Sequence, residues 1–434
     1  MIAMRQAFRA TIVHCLEDPG EHSTPSAYEH FEDGLLVVAD GHVEALGDAG
    51  DLLPTLGDDV PVTEYRDKLI MPGFIDCHVH YPQLDIVGSY GEQLLDWLNR
   101  YAYPAEAQFA DPNHAREVAS AFVEQLLLNG TTTALVFGTV HPHSADAIFE
   151  AAAARDMRLI AGKVLMDCHC PEELRDDAES AYRDSKALIE KWHNHGRLGY
   201  AITPRFALTS SAEQLTAAGR LAAEHPDVWI HTHLAENRGE VDAIERLFPA
   251  RRSYLDVYDY YGLLRRRAVF AHCLYMDDAD RASMSAAGGA AAFCPTSNLF
   301  LGSGLFDLSA MRAANIRCGL GTDVGGGTSL SLLKTASEAY KVLHLQDHAL
   351  PAMRALYLAT LGAAEALYVD EHIGNFLPGK EADFVVLDPA GSSLTARRMA
   401  TTDTIEEALF ALLTLADDRH VAATYVSGRV QHAL

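Results

Sequence analysis

Basic residues are scarce in this 434-residue chain: 34 Lys and Arg stand against 60 Asp and Glu, a formal net charge of -26. Proteins bind a phosphate backbone through Lys and Arg that displace counterions, so a chain this acidic is repelled by it. Nucleic acid is therefore not expected as a partner. Long apolar runs are also missing. No window approaches the ~20 apolar residues of a membrane span, and the opening MIAMRQAFRATIVHC holds no continuous apolar stretch of signal-peptide length. The expectation is a soluble, cytoplasmic protein that does not engage a membrane. Cysteine forms no pattern: seven are scattered at 15, 77, 168, 170, 273, 294 and 318, an odd number in a chain long enough to fold without disulfides. Cys168-His169-Cys170 lacks the second cysteine pair of a structural zinc site. No Gly-x-Gly-x-x-Gly follows the first strand-like run, which argues against an open dinucleotide-binding sheet.

What is present is an ordinary globular composition, 49% hydrophobic and 22% charged, and a recurring pattern. Eight β-rich runs lie between about residue 70 and residue 323: LIMPGFIDCHVH (69–80), TTTALVFG (131–138), RLIAGKVLMD (158–167), LGYAITPRF (198–206), VWIHTHLAE (228–236), AVFAHC (268–273), AAAFCPTSN (290–298) and RCGLGTD (317–323). Helical segments separate them. In the first, Val118, Phe122 and Leu126 share a stripe that Glu117, Ser120 and Glu124 avoid, and Asn129-Gly130 supplies a stop. Eight strand–helix units predict a closed α/β structure, a TIM (β/α)8 barrel, over residues 68–374. The ends read differently. Leu35–Val38 leads through Asp40-Gly41 into His42–Ala45, a hairpin signal, and Phe384–Leu387 and Thr424–Val426 are again β-like. Residues 1–67 and 375–434 are expected to form a composite small β-sandwich domain.

His78 and His80 end the first run, where a period of two places both imidazoles on one face, aimed at the barrel mouth. Barrel enzymes keep their chemistry at that end. His233 ends the fifth run with Glu236 three residues on, His272 ends the sixth, and Asp323 ends the eighth. A lone buried histidine is usually a core residue, but so many titratable groups at one barrel end are costly to desolvate unless they meet a cation or each other. Three histidines and an aspartate suit Zn2+, and iron or manganese can occupy such a set. Spacing alone leaves His231 open as an alternative to His233, since the two share a parity; being one pleat deeper, His231 suits packing or support of a ligand better. The Gly325-Gly326-Gly327 stretch lacks the Lys-Ser/Thr of a phosphate loop and reads as a barrel loop near the site.

These residues, together with PGFIDCHVHYPQ (72–83), GEQLLDWLNRYAYPAE (91–106), TPRFALTSS (203–211), HTHLAENRGEV (231–241), CPTSNLFLGSG (294–304) and GLGTDVGGGTS (319–329), give the chain a pattern that resembles the amidohydrolase superfamily, and within it the guanine deaminases. The resemblance implies His78, His80, His233 and Asp323 as metal ligands, with His272 on the hydrolytic water. It implies a single metal, since Lys163 lies too early in its strand to be a bridging carbamylated lysine. It also implies a homodimer, and guanine as the small-molecule substrate, met by Gln83, Trp97, Leu98, Arg205, Phe206, His233 and Glu236. In such a site the metal lowers the pKa of its water toward ~7. Glu236 then shuttles the proton while His272 and Asp323 orient the attacking oxygen. Arg205 offers a fixed fork of donors to the O6/N7 edge, Gln83 both donates and accepts along another edge, and Phe206 covers the ring. Bland alternatives are an ion pair for Arg205 and core packing for Phe206 and Trp97. Rival functions are another purine or triazine aminohydrolase of the superfamily, and a non-catalytic metal-binding protein in which Glu236 has no task.

Overall fold

The computed structural model describes residues 5–434. The chain begins with β1 (Arg5–Cys15), β2 (Tyr28–Ala39), β3 (His42–Asp48) and β4 (Val62–Pro72). It continues through β5 (Phe74–His80), β6 (Thr131–Phe137), β7 (Arg158–Gly162), β8 (Val164–Leu165), β9 (Leu198–Pro204), β10 (Trp229–Leu234), β11 (Ala268–His272), β12 (Ala290–Phe293) and β13 (Arg317–Leu320). β14 (Phe384–Leu387), β15 (Val421–Val426) and β16 (Arg429–Ala433) follow.

From β5 to β13 the neighbours run in the order β5-β6-β7-β9-β10-β11-β12-β13, with the short β8 also on β9. The pairings of β7 with β9 and of β9 through β13 are parallel. The two ends of this sheet meet: Asp323 N donates to His78 O at 2.8 Å, and His80 N to Val324 O at 2.8 Å. The eight runs of the sequence thus close into the barrel it predicts, and the closing seam lies beside two of the candidate ligands. The helix Pro112–Leu128 buries Val118, Phe122 and Leu126 and exposes Glu117, Ser120 and Glu124. It is followed by Gly130 at a φ of 78°, a left-handed stop that glycine adopts at no steric cost.

The first apolar run divides where the sequence gives no sign of it. Leu69–Pro72 pair with β14, while Phe74–His80 enter the barrel. Gly73 sits at the division, and a Cβ there would meet Thr132 Oγ1 at 2.2 Å, so only glycine permits the close approach.

Both ends of the chain build a single seven-stranded sheet, β16-β15-β14-β4-β1-β2-β3. N- and C-terminal pieces join where β4 lies between β1 (parallel) and β14 (antiparallel). The Asp40-Gly41 turn has φ of 49° and 81°, positive at both central residues as a type I′ hairpin demands. Alternation sends Phe8, Leu36 and Val38 into one apolar cluster and Ala7, Leu35 and Val37 into another, so β1 and β2 are covered on both faces. In the first cluster the rings of Phe384 and Tyr425 stack with centroids 4.3 Å apart; each such side chain contributes about 1.5–3 kcal/mol through burial. The chain divides into two compact units. One comprises the residues through Ile75, Gln125–Thr133 and Ser331–Leu434, the other Asp76–Glu124 and Ala134–Leu330.

Candidate active site

The C-terminal ends of four barrel strands bring five donors together. His78 Nε2 lies 3.1 Å and His80 Nε2 3.3 Å from Asp323 Oδ1. His80 Nε2 is 3.2 Å from the Nε2 atoms of both His78 and His233. His272 joins His78, His233 and Asp323 in a group whose ligand atoms all lie within 4.8 Å of one another. The far nitrogens are held: His78 Nδ1 is 2.8 Å from His231 Nε2, and His233 Nδ1 donates to Arg205 O at 2.6 Å. His231 therefore supports His78 from behind.

Three imidazole nitrogens and a carboxylate oxygen at 3.1–3.3 Å cannot all be satisfied by protons. Burial holds His78 below its ordinary pKa, His231 and His233 well below it, and drives His80 to about 3 against the pull of the Asp323 hydrogen bond. Neutral imidazoles with converging lone pairs are what metal ligation requires. Burial disfavours charge on Asp323, but the surrounding imidazoles, His78 foremost, outweigh it and keep the carboxyl well below its usual range. A tetrahedral ion with ligands at ~2.0–2.1 Å separates its ligand atoms by about 3.3 Å, which the spacings of His80 to His78, His233 and Asp323 and of His78 to Asp323 match. A divalent cation fits this donor set.

Glu236 lies against the cluster, with Oε2 3.4 Å from His272 Nε2. Ser303 Oγ donates to Glu236 Oε1 at 3.0 Å. Burial, with the charge of Asp323 added, raises its carboxyl to about 8. His272 Nδ1 donates to Asn298 Oδ1 at 2.9 Å, which leaves the Nε2 lone pair facing Glu236 and Asp323, the latter 3.7 Å away. Ala235, His272, Cys273 and Asp323 have φ of 49°, 73°, 52° and 51°. Such left-handed backbone costs about 1–3 kcal/mol per non-glycine residue and collects at functional sites.

Glu240 holds the turn behind Glu236. Its Oε2 accepts the backbone N–H of Glu236 at 2.9 Å and of Asn237 at 3.2 Å, and Tyr254 OH donates to Oε1 at 2.7 Å. Burial first, then the charge of Glu236, pushes this carboxyl from 4.5 up to about 7. Between those values the folded chain binds more protons than the unfolded one, so stability falls as pH rises, by about 1.4 kcal/mol per unit. Glu240→Gln carries no such charge. Its stability relative to the parent is expected to grow by about 3 kcal/mol from pH 4.5 to pH 7.5, read from urea unfolding at each pH. A difference that stays flat across that range refutes the buried titration.

A pocket opens onto the cluster. Gln83, Trp97, Leu98, Arg205 and Phe206 line it, and so do His80, His233, Glu236 and Asp323. His78 and His272 are fully buried and are not among the lining residues. Phe206 meets His233 edge-on with centroids 6.3 Å apart. The Trp97 Nε1 donor is buried without a partner. Arg205 is not at the surface: it is 2% exposed, and its NH1 lies 2.8 and 2.6 Å from the two oxygens of Glu106. Gln83 Nε2 donates to the same carboxylate at 2.8 Å, and Gly325 N donates to Gln83 Oε1 at 3.1 Å. The glycine stretch thus reaches the site through its backbone. Lys163 points elsewhere and pairs with Asp176.

Sequence reasoning missed Glu106, Glu240, Asn298 and Ser303, and also Asp76, whose Oδ1 accepts from both His78 N (3.1 Å) and Thr322 N (3.0 Å). The available signal was a polar residue amid apolar neighbours, as at Asp76 between Ile75 and Cys77.

Residues 69–430 match the Amidohydrolase family. The chain is 50% identical to guanine deaminase of Escherichia coli strain K12 over 428 residues, 99% of this chain and 97% of that protein. The solved structure of E. coli guanine deaminase superposes with a TM-score of 0.97 and covers 99% of both chains. Guanine deaminase from C. acetobutylicum, solved with guanine bound in its active site, gives a TM-score of 0.88 at 26% identity, covering 98% of this chain and 99% of that one.

Proposed function

The chain belongs to the amidohydrolase family, and from that premise we propose that it hydrolyses guanine to xanthine and ammonia. The observation that carries this reading is one cavity whose lining joins two kinds of group: the polar side chains of Gln83 and Arg205, and Glu236 with His80, His233 and Asp323 of the cluster. Such a cavity sets a flat polar heterocycle against a hydrolytic centre.

His78, His80, His233 and Asp323 are the proposed ligands of one zinc ion, a reading supported by their 3.1–3.3 Å spacing and neutral imidazoles. A divalent cation bound there supplies acidification of a coordinated water, whose pKa falls toward ~7. Glu236 accepts a proton from water as oxygen bonds to C2, and delivers it to ring N3. The proton of the new C2 hydroxyl, carried through Glu236, reaches the exocyclic amine; C2=O forms, the C2–N2 bond breaks, and ammonia leaves. A buried carboxyl beside the cluster, within reach of the attacking oxygen, is suited to both directions of transfer. The Nε2 lone pair of His272, its tautomer set by Asn298, accepts a hydrogen bond from the attacking oxygen and orients it. Arg205 donates to the O6/N7 edge, Gln83 meets another edge, and Trp97, Leu98 and Phe206 enclose the ring.

Among the described residues no helix is long and apolar enough to cross a membrane; a cytoplasmic homodimer completes the proposal. The test is direct: purified protein of known metal content is given guanine, adenine and cytosine, and xanthine and ammonia are measured. No release from guanine overturns the assignment. Arg205→Ala is expected to lower kcat/KM for guanine by about 10²-fold or more, since it removes a charged donor and leaves the remaining polar wall unpaired. Unchanged kcat/KM, at unchanged metal content, removes Arg205 from the contact surface.

A further inference from the structure

Glu106 comes from the short helix Tyr103–Ala107, far in sequence from every barrel-strand residue of the site, and is 1% exposed. Both carboxylate oxygens are spent on the two groups assigned to substrate recognition. Arg205 NH1 reaches Oε1 at 2.8 Å and Oε2 at 2.6 Å, and Gln83 Nε2 reaches Oε1 at 2.8 Å. The same helix sets the Tyr103 ring 5.2 Å from the Arg205 guanidinium. A glutamine amide has a donor end and an acceptor end of equal shape, and only its partners decide which way round it stands. Here Glu106 can only accept and Gly325 N–H can only donate, so the two ends of Gln83 are assigned. One N–H and one carbonyl lone pair of Gln83 remain for a ligand. Through NH1 the same carboxylate also holds the guanidinium.

We propose that Glu106 is a positioning residue that sets the purine specificity of the pocket by orienting Arg205 and Gln83 together. The inference rests on the reading that these two side chains meet the substrate. It predicts that Glu106 controls discrimination between ligands differing in hydrogen-bond pattern.

The probes are hypoxanthine, which carries the 6-oxo group and N1–H, and purine, which lacks both; neither has an amino group to lose, so both are measured as competitive inhibitors. The parent is expected to prefer hypoxanthine. Glu106→Gln keeps the shape but presents a donor to Arg205 or Gln83, and the preference should shrink about tenfold or more at unchanged metal content. Equal weakening of both ligands assigns Glu106 to support alone and overturns the proposal. Should Glu106→Gln fail to fold, R205M and the double variant R205M/E106M take its place; the double variant replaces the buried ion pair by an apolar pair, and the single one leaves Glu106 to Gln83 alone. Glu106 still holds Gln83 in the first and not in the second, so the double variant should lose about threefold more preference; equal preferences overturn the proposal. If R205M discriminates as the parent does, the substrate-contact reading falls and this inference with it. A parent that releases no ammonia from guanine overturns the function instead.

Discussion

Glu236→Gln is expected to lower kcat for guanine by about 10³-fold or more, while metal content and guanine binding stay near those of the parent. Glutamine fills the same volume and can still accept the Ser303 hydroxyl that now lies 3.0 Å from Oε1. What it loses is the ability to take a proton. In the proposed reaction one carboxyl carries protons twice, to N3 and to the amine, so both transfers fail together. Asp323 does not substitute, since its carboxyl is held well below its usual range among the imidazoles. Steady-state ammonia release, paired with elemental analysis and an inhibition constant for hypoxanthine, separates this outcome from simple loss of the site. A variant retaining a tenth of the parent rate would end the proton-shuttle reading.

The contrast between Glu236 and Glu106 shows what a sequence of this kind discloses. Glu236 was legible because it stands three residues past His233, just beyond the C-terminal end of the same strand, where barrel enzymes carry their chemistry. The eight barrel strands were legible for a related reason: strands buried on both faces read as apolar runs, and their turns and helices separate them cleanly. Glu106 lies in a segment between β5 and β6 whose path over the barrel mouth is set by the packing of Leu94, Trp97, Leu98 and Tyr103 against Phe206 and Leu301. Local periodicity carries no information about such packing. The same limit hid the division at Gly73, where two strands of different sheets form one uninterrupted apolar run. It also hid the place of β4 between the ends of the chain, since parallel pairing with β1 is a long-range contact with no local signature. His231 and His233 share a parity and differ only in which atoms face them: His231 contacts the rear nitrogen of His78, while His233 contacts His80.

That difference yields the second large effect. His80→Ala removes a nitrogen placed 3.2 Å from two other donors and 3.3 Å from Asp323. The proposed ligand set then loses one of its four donors, and activity is expected to fall by about 10⁴-fold or more and to stay low in excess zinc, because the water is no longer held and acidified in the same place. His231→Leu leaves every cluster nitrogen in place and removes only the group 2.8 Å from His78 Nδ1. Loss of a partner behind a ligand costs about 10- to 100-fold in metal affinity, so this variant should purify with less metal and regain most of its rate when zinc is added. Zinc titration of both apo-variants, followed by ammonia release, reads the two outcomes in one experiment. If His231→Leu resists rescue while His80→Ala responds to it, the ligand assignment is overturned.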